Sequence, residues 1–250
     1  MDYECLRLEQ QANILTVQLN NPPANTLSET VCGELCRVFQ ALPEGVDVVI
    51  LTGNEKFFSA GADLKLLSLT DPALDDACFT RIYAALEAVY NCPVPVVAAV
   101  NGVAMGGGLE LALSCDIRIG DAGLRMGATS ANMGLVFVTQ RLPRLIGQAR
   151  AAELIFTART VKAEEALAYG LITEAAPAGG ALAAAEEKAR IIAEKPGSCL
   201  RRLKSVLRAG EGRPLTEALE LEREQLFAAF RDEAFPKQVE KFLHRKDKKA

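Results

Sequence analysis

The sequence predicts an α/β fold, and three observations carry that expectation. Short apolar runs of strand length alternate with longer stretches of helical period. The run VVAAVNG is followed by three glycines and the periodic segment LELALS. From about residue 178 the chain becomes alanine-rich and reads as all helix. Alternating strand and helix signals belong to a sheet covered by helices.

In chain order, residues 14–19 (ILTVQL) alternate apolar and polar side chains and read as a strand, ended by the Asn20-Asn21-Pro22-Pro23 turn. Ser28 carries the side-chain oxygen that caps a helix, expected to run to about Leu42. Residues 46–52 form the next strand and residues 75–90 the next helix. The unbroken apolar run at 94–100 reads as a fully buried strand, closed by Asn101-Gly102. A helix is expected from Gly107 or Gly108, then a strand at 117–120 and further helices. Another helix is read over 178–194. Pro196 starts the next at a favoured first-turn position, and Pro214 and Pro236 punctuate two more. Leu215, Leu219, Leu226, Phe227 and Phe230 make an apolar face too wide for a helical hairpin alone, which implies packing on the core or on another subunit.

Bulk properties exclude several classes. With 250 residues, half of them apolar, the chain can bury a large core. The net charge is −4 and the basic residues are dispersed except in the 246–249 tail, read as a solvated terminus, so no nucleic-acid groove is indicated. The first twenty residues lack the cationic-then-apolar order of a signal peptide, and no apolar run reaches spanning length. Seven cysteines without a CxxC pair, and a single histidine, His244, argue against a zinc site and against a His-dependent nucleophile. Reduced thiols used as small core residues fit best, and the cytoplasm is the expected compartment.

The chemistry concentrates around the glycines. Gly106, Gly107 and Gly108 let the backbone approach a ligand closely. N–H groups at a helix start have no intrahelical partner, and with the helix dipole they favour a developing negative charge. Glu110 sits within one turn of that site. A glutamate there can simply complement the dipole, but apolar Leu109, Leu111 and Ala112 around it imply partial burial and an acid/base role. The small residues 59–62 form a second loop, either a plain tight turn or another close approach. A phosphate loop is disfavoured, because 102–108 lacks the lysine and hydroxyl of GxxxxGK[ST].

Four spaced segments, FFSAGADLK at 57–65, AVNGVAMGGGLELALSCDIRI at 99–119, TQRLPRLIG at 139–147 and AYGLITEAAP at 168–177, closely resemble the crotonase superfamily, the enoyl-CoA hydratase/isomerase family. Weaker likeness extends over nearly the whole chain. The resemblance implies a spiral of ββα turns over residues 1–195 that binds an acyl-CoA thioester, followed by a helical trimerisation region at 196–250. It implies backbone N–H donors at Ala62 and Gly107 for the thioester oxygen, and Glu110 as acid/base. For the coenzyme A thioester it implies contacts at Pro23, Ala24, Thr26, Ala60, Asp63 and Leu64, with Gly106 and Thr129 also at the substrate and Lys241 and Phe242 as weak candidates at the nucleotide end. No metal is implied, no cofactor beyond the coenzyme A of the substrate, and a homotrimer or dimer of trimers without nucleic-acid or membrane partners.

The departure lies at the second acid/base position, where hydratases carry a glutamate and this chain has Ser130; the glycine-rich stretch before TQRL is reduced to 135–138. Asp63 and Asp116 are read as structural, the first capping the helix after it and the second pairing with Arg118 or Arg125. Acidic residues of the 71–76 loop are a further possible source of a carboxylate. The expected activity is that of an enoyl-CoA hydratase-like lyase, with double-bond isomerase next and decarboxylase or hydrolase third. A noncatalytic CoA-thioester or RNA-binding scaffold is the reading from another class.

Overall fold

The computed structural model describes residues 3–64 and 72–247. It separates into two compact units, Met1–Ile192 and Ala193–Ala250. Lys65, Asp71 and the end of the 246–249 tail lie outside the described residues, and Pro72–Asp76, expected as a loop, already belong to a helix that starts at Pro72, three residues before the expected start at 75.

The first unit opens with a hairpin, β1 (Leu6–Gln11) and β2 (Ile14–Leu19), then β3 (Thr26–Leu27) and α1 (Glu29–Gln40). Ser28 caps α1 as expected, its Oγ accepting from Val31 N–H. The helix stops at Gln40, short of Leu42, since the residue before Pro43 is pushed out of helical backbone. Next come β4 (Val48–Thr52), β5 (Phe57–Ser59), β6 (Gly61–Ala62) and α2 (Pro72–Tyr90). They are followed by β7 (Val96–Val100), β8 (Val103–Met105) and α3 (Gly107–Ser114). Pro95 has no N–H to give, so β7 starts after it and not at Val94.

The remaining elements of this unit are β9 (Ile117–Asp121), β10 (Arg125–Gly127), a 3₁₀ turn (Thr129–Met133), α4 (Arg141–Ile146), α5 (Gln148–Thr157), β11 (Thr160–Lys162), α6 (Ala163–Tyr169), β12 (Glu174–Ala176) and α7 (Ala181–Ala193).

Six strands form one sheet in the order β1-β2-β4-β7-β9-β12, and four form another in the order β11-β10-β8-β5. Successive strand pairs, β4 with β5, β7 with β8 and β9 with β10, each give one strand to each sheet before the chain turns into helix. Repetition of that step is the ββα winding. β1 and β2 pair antiparallel, whereas β2, β4, β7, β9 and β12 run parallel. β4 and β7 are buried at every residue, which is why both read as unbroken apolar runs.

Cys5, Cys32, Cys92 and Cys115 are buried and unbridged. Burial, with smaller effects of Cys36 and Cys78 against an opposing Arg81, pushes the Cys32 thiol up to about 12, so it stays protonated and behaves as a core side chain.

The second unit contains α8 (Gly197–Gly210), α9 (Leu215–Phe230) and α10 (Ala234–Asp247). Pro196 and Pro214 occupy the cap positions of α8 and α9, and Pro236 lies in the first turn of α10, where a missing N–H costs nothing. No residue of α9 is buried, and Leu215 is 74% exposed. Among the described residues no helix is long and apolar enough to cross a membrane.

Candidate active site

Two loops meet at the start of α3. Gly61, at φ +95°, stands so close to the other loop that an added Cβ would lie 2.7 Å from the Met105 carbonyl oxygen and 3.0 Å from Gly107 N. A Cβ on Gly108 would fall 2.1 Å from the Ser59 carbonyl oxygen, an impossible contact. Only residues without side chains allow this approach. Its product is a backbone pair: a Cβ built on Gly107 would sit 3.4 Å from Ala62 N. The sequence-derived donor positions, Ala62 and Gly107, are thus brought together.

The loop of Gly61-Ala62-Asp63, the GAD loop, is fixed from its other side by the Asn20–Pro23 turn and the residues that follow it. β3 pairs parallel with β6, Thr26 opposite Gly61 and Leu27 opposite Ala62. Ala60 N–H donates to the Ala24 carbonyl at 3.0 Å. Ser59 Oγ donates to the Asn25 carbonyl at 2.7 Å and accepts from Gly61 N–H. Thr26 Oγ1 donates to Asp63 at 3.3 Å; the helix that Asp63 is expected to cap would begin in 65–71, outside the described residues. Of the expected coenzyme A contacts, Ala24, Thr26, Ala60 and Asp63 therefore form one connected group. Pro23 is exposed on the same turn, and Leu64 is half-exposed beside the cavity.

A cavity of about 220 Å³ opens at this junction. One wall is backbone and small residues: Ala60, Gly61, Ala62, Gly106, Gly107, Thr129 and Ser130. The other is apolar, from Leu64, Phe79, Ile82 and Tyr83 to Met133, Leu135, Val136 and Phe137. The short 135–138 segment supplies much of that wall, and Phe137 meets the Tyr83 ring edge-to-face at 5.3 Å. Gly106 N–H is held by the Gly127 carbonyl at 2.9 Å, which ties the glycine turn to the strand leading to Ser130.

Glu110 lies one turn into the helix whose first residue lines the cavity, and is only 4% exposed. Its Oε1 accepts a charge-assisted bond from Arg141 Nη1 at 2.6 Å. The Arg141 guanidinium in turn lies over the Tyr90 ring, 5.0 Å from its centre. The other carboxylate oxygen, Oε2, and Ser130 Oγ are both buried without a hydrogen-bond partner. Buried polar atoms are almost always satisfied; Ser130, with its orphaned Oγ, lines the cavity, and Glu110 lies three residues into the helix beyond Gly107, which also lines it, so the two atoms mark a site built to meet a ligand. Asp116 accepts from Val96 N–H at 2.7 Å, while Arg118 donates to the carbonyls of Cys115 and Leu171. Asp116 thus ties the start of β7 to the residue before β9, a contact other than the arginine pairing expected of it.

Sequence reading did not single out Arg141 or Tyr90. The TQRL segment contained the signal, a cation in a motif otherwise unassigned, but 31 residues separate Arg141 from Glu110 and nothing local links them.

Comparison with known proteins supports the same class. The enoyl-CoA hydratase/isomerase family matches residues 9–249. A probable enoyl-CoA hydratase of Bacillus subtilis is 35% identical over 253 residues, covering 96% of this chain and 95% of its own length. The short-chain-enoyl-CoA hydratase of Clostridium acetobutylicum is 33% identical, over 93% of this chain and 92% of its own. Among solved structures, Pseudomonas aeruginosa DspI superposes with a TM-score of 0.94 at 32% identity, covering 98% of this chain and 96% of that one. Enoyl-CoA hydratase from Bacillus anthracis gives 0.93 at 32% identity over 97% of both chains. A putative enoyl-CoA hydratase from Thermobifida fusca, solved in complex with CoA, gives 0.83 at 28% identity over 90% and 93%. The chain belongs to the enoyl-CoA hydratase/isomerase family and has the crotonase fold of these enzymes.

Proposed function

We propose that this protein hydrates a 2-enoyl-CoA thioester. The reading rests on one observation: the backbones of Ala62 and Gly107 meet at the cavity, and Glu110 stands in the first turn of the helix that Gly107 begins. The thioester oxygen accepts from the two N–H groups as negative charge builds on it. Donors already in place spare the reorganisation that water would need, and each contributes roughly two to three orders of magnitude in rate. Glu110 takes a proton from water as the hydroxyl adds to the β-carbon and the π electrons move onto the thioester oxygen; the same carboxyl then returns that proton to the α-carbon as the enolate collapses, so one water adds across the double bond. Thr26, Ala24 and Pro23 with Ala60, Asp63 and Leu64 flank the pantetheine, while Gly106 and Thr129 border the acyl end. The chemistry uses no cofactor beyond the coenzyme A of the substrate.

Ser130 favours a second reading. A hydroxyl replaces the second carboxylate that would grip water, and a single carboxylate is sufficient to carry a proton between carbons in double-bond isomerisation. Decarboxylation or thioester hydrolysis would use the same oxyanion donors. The exposed face of Leu215, Leu219, Leu226, Phe227 and Phe230 supports a closed homotrimer or dimer of trimers, which light scattering at micromolar concentration tests directly.

The deciding experiment measures hydration and double-bond migration over a trans-2- and trans-3-enoyl-CoA panel, in the wild type and in Glu110→Gln. Loss of all turnover with retained ligand binding is expected for the variant. Full activity of Glu110→Gln on every substrate would remove Glu110 from the mechanism, and binding without turnover in the wild type would favour a noncatalytic scaffold.

A further inference from the structure

The Glu110–Arg141 pair is more than charge neutralisation. α3 is buried at all eight residues and its start is fixed by glycine contacts, so the helix does not need the ion pair to hold its place. A buried ion pair also adds little net stability over apolar side chains of similar volume. What it does supply is geometry. The terminal torsion of a glutamate is broad, and an untethered carboxylate presents either oxygen in many orientations. Here Oε1 is held at 2.6 Å by Arg141, and Oε2 is left buried and unpartnered. The guanidinium is constrained in turn: its face lies on Tyr90, the last residue of α2, its backbone begins α4, and its side chain is only 24% exposed.

We propose that Arg141 is a positioning residue for proton transfer, fixing Glu110 through Oε1 so that Oε2 alone exchanges a proton with the substrate, with Tyr90 as the platform that holds the guanidinium. The inference rests on the acyl-CoA reading above. Arginine suits the task better than lysine, because a planar guanidinium can donate to a carboxylate and stack on a ring at once. Misplacing a reacting group by about 1 Å costs on the order of a hundredfold in rate, and this sets the size of the effect.

The test uses whichever member of the four- to ten-carbon trans-2-enoyl-CoA series the wild type turns over fastest. Arg141→Gln is expected to lower kcat by about 10- to 100-fold with KM changed less than about twofold. Arg141→Lys should recover part of that loss, to within about fivefold of the wild type. A folded Arg141→Gln protein with full kcat overturns the proposal, as does a rise in KM alone, which would make Arg141 a substrate-binding group. If Arg141→Gln fails to fold, Arg141→Lys decides: a lower kcat at unchanged KM supports positioning, and full kcat overturns it. An inactive Glu110→Gln beside a fully active Arg141→Gln refutes this inference alone. Full activity of Glu110→Gln, or no turnover of any member by the wild type, refutes the functional reading with it.

Discussion

The two walls of the cavity are built on opposite terms. On one side, Gly61, Ala62, Gly107 and, just behind them, Gly108 bring main chain against main chain, with no room for a methyl group at Gly61 or Gly108. On the other, Met133, Leu135 and Val136 line the cavity with exposed apolar side chains, Val136 at 86%, and Gly134 has open space around it. A wall that presents N–H groups must be exact in position, because a hydrogen bond weakens steeply with distance and angle. A wall that meets an acyl chain only has to be apolar and near enough, since burial of hydrocarbon is non-directional. The proposed chemistry is thus carried by the rigid wall and substrate preference by the loose one.

The contrast can be broken most forcefully at Gly108. Gly108→Ala places a carbon 2.1 Å from the Ser59 oxygen, so the two loops must separate. A loss of about 3 kcal/mol of stability and at least a hundredfold drop in turnover are expected, measurable by urea unfolding and the enoyl-CoA assay. Ala62→Pro removes a single proposed donor while keeping an apolar side chain. Turnover should fall by roughly two to three orders of magnitude in a protein whose circular dichroism is unchanged, and wild-type turnover would mean the oxyanion lies elsewhere.

Ser130→Glu sharpens the contrast from the edge of the rigid wall. It restores a second carboxylate, and hydration of a short trans-2-enoyl-CoA should rise about tenfold, less than a well-placed acid/base group gives because the short 135–138 segment sets a different wall. The smallest effect belongs to the loose wall. Val136→Ala should change stability by less than about 0.5 kcal/mol and shift the ratio of kcat/KM between long and short acyl chains by about threefold. A loss there as large as that of Ala62→Pro would show the two walls to be equally demanding.

Much of this arrangement was legible in the sequence because its signals are local. The bounds 14–19 for β2, Ser28 as a cap and the start of α3 at Gly107 follow from alternation, a side-chain oxygen and a glycine run. β1 was not singled out, since LRLEQQ is largely exposed and its period fades into glutamines. β8, β10 and β11 are three residues each, too short to show a period at all. The meeting of the GAD loop with the glycine turn was carried by resemblance, not by any local pattern. The Arg141–Glu110 contact lay beyond sequence reasoning, because it depends on where the chain places α4 after two more strands and a 3₁₀ turn.

The pairing of β3 with β6 also sets an order in time. Thr26 finds Gly61 only after α1, β4 and β5 have been laid down, and Ala62 finds Gly107 only after α2 and β7. Closing such long stretches of chain carries its entropy cost before the contact returns anything, so parallel, non-local pairings form slowly. The β1–β2 hairpin and the isolated helices face no such delay. On dilution from denaturant, the helical signal should therefore return first and enzymatic turnover last, the Ala62–Gly107 junction being among the final parts of the molecule to assemble.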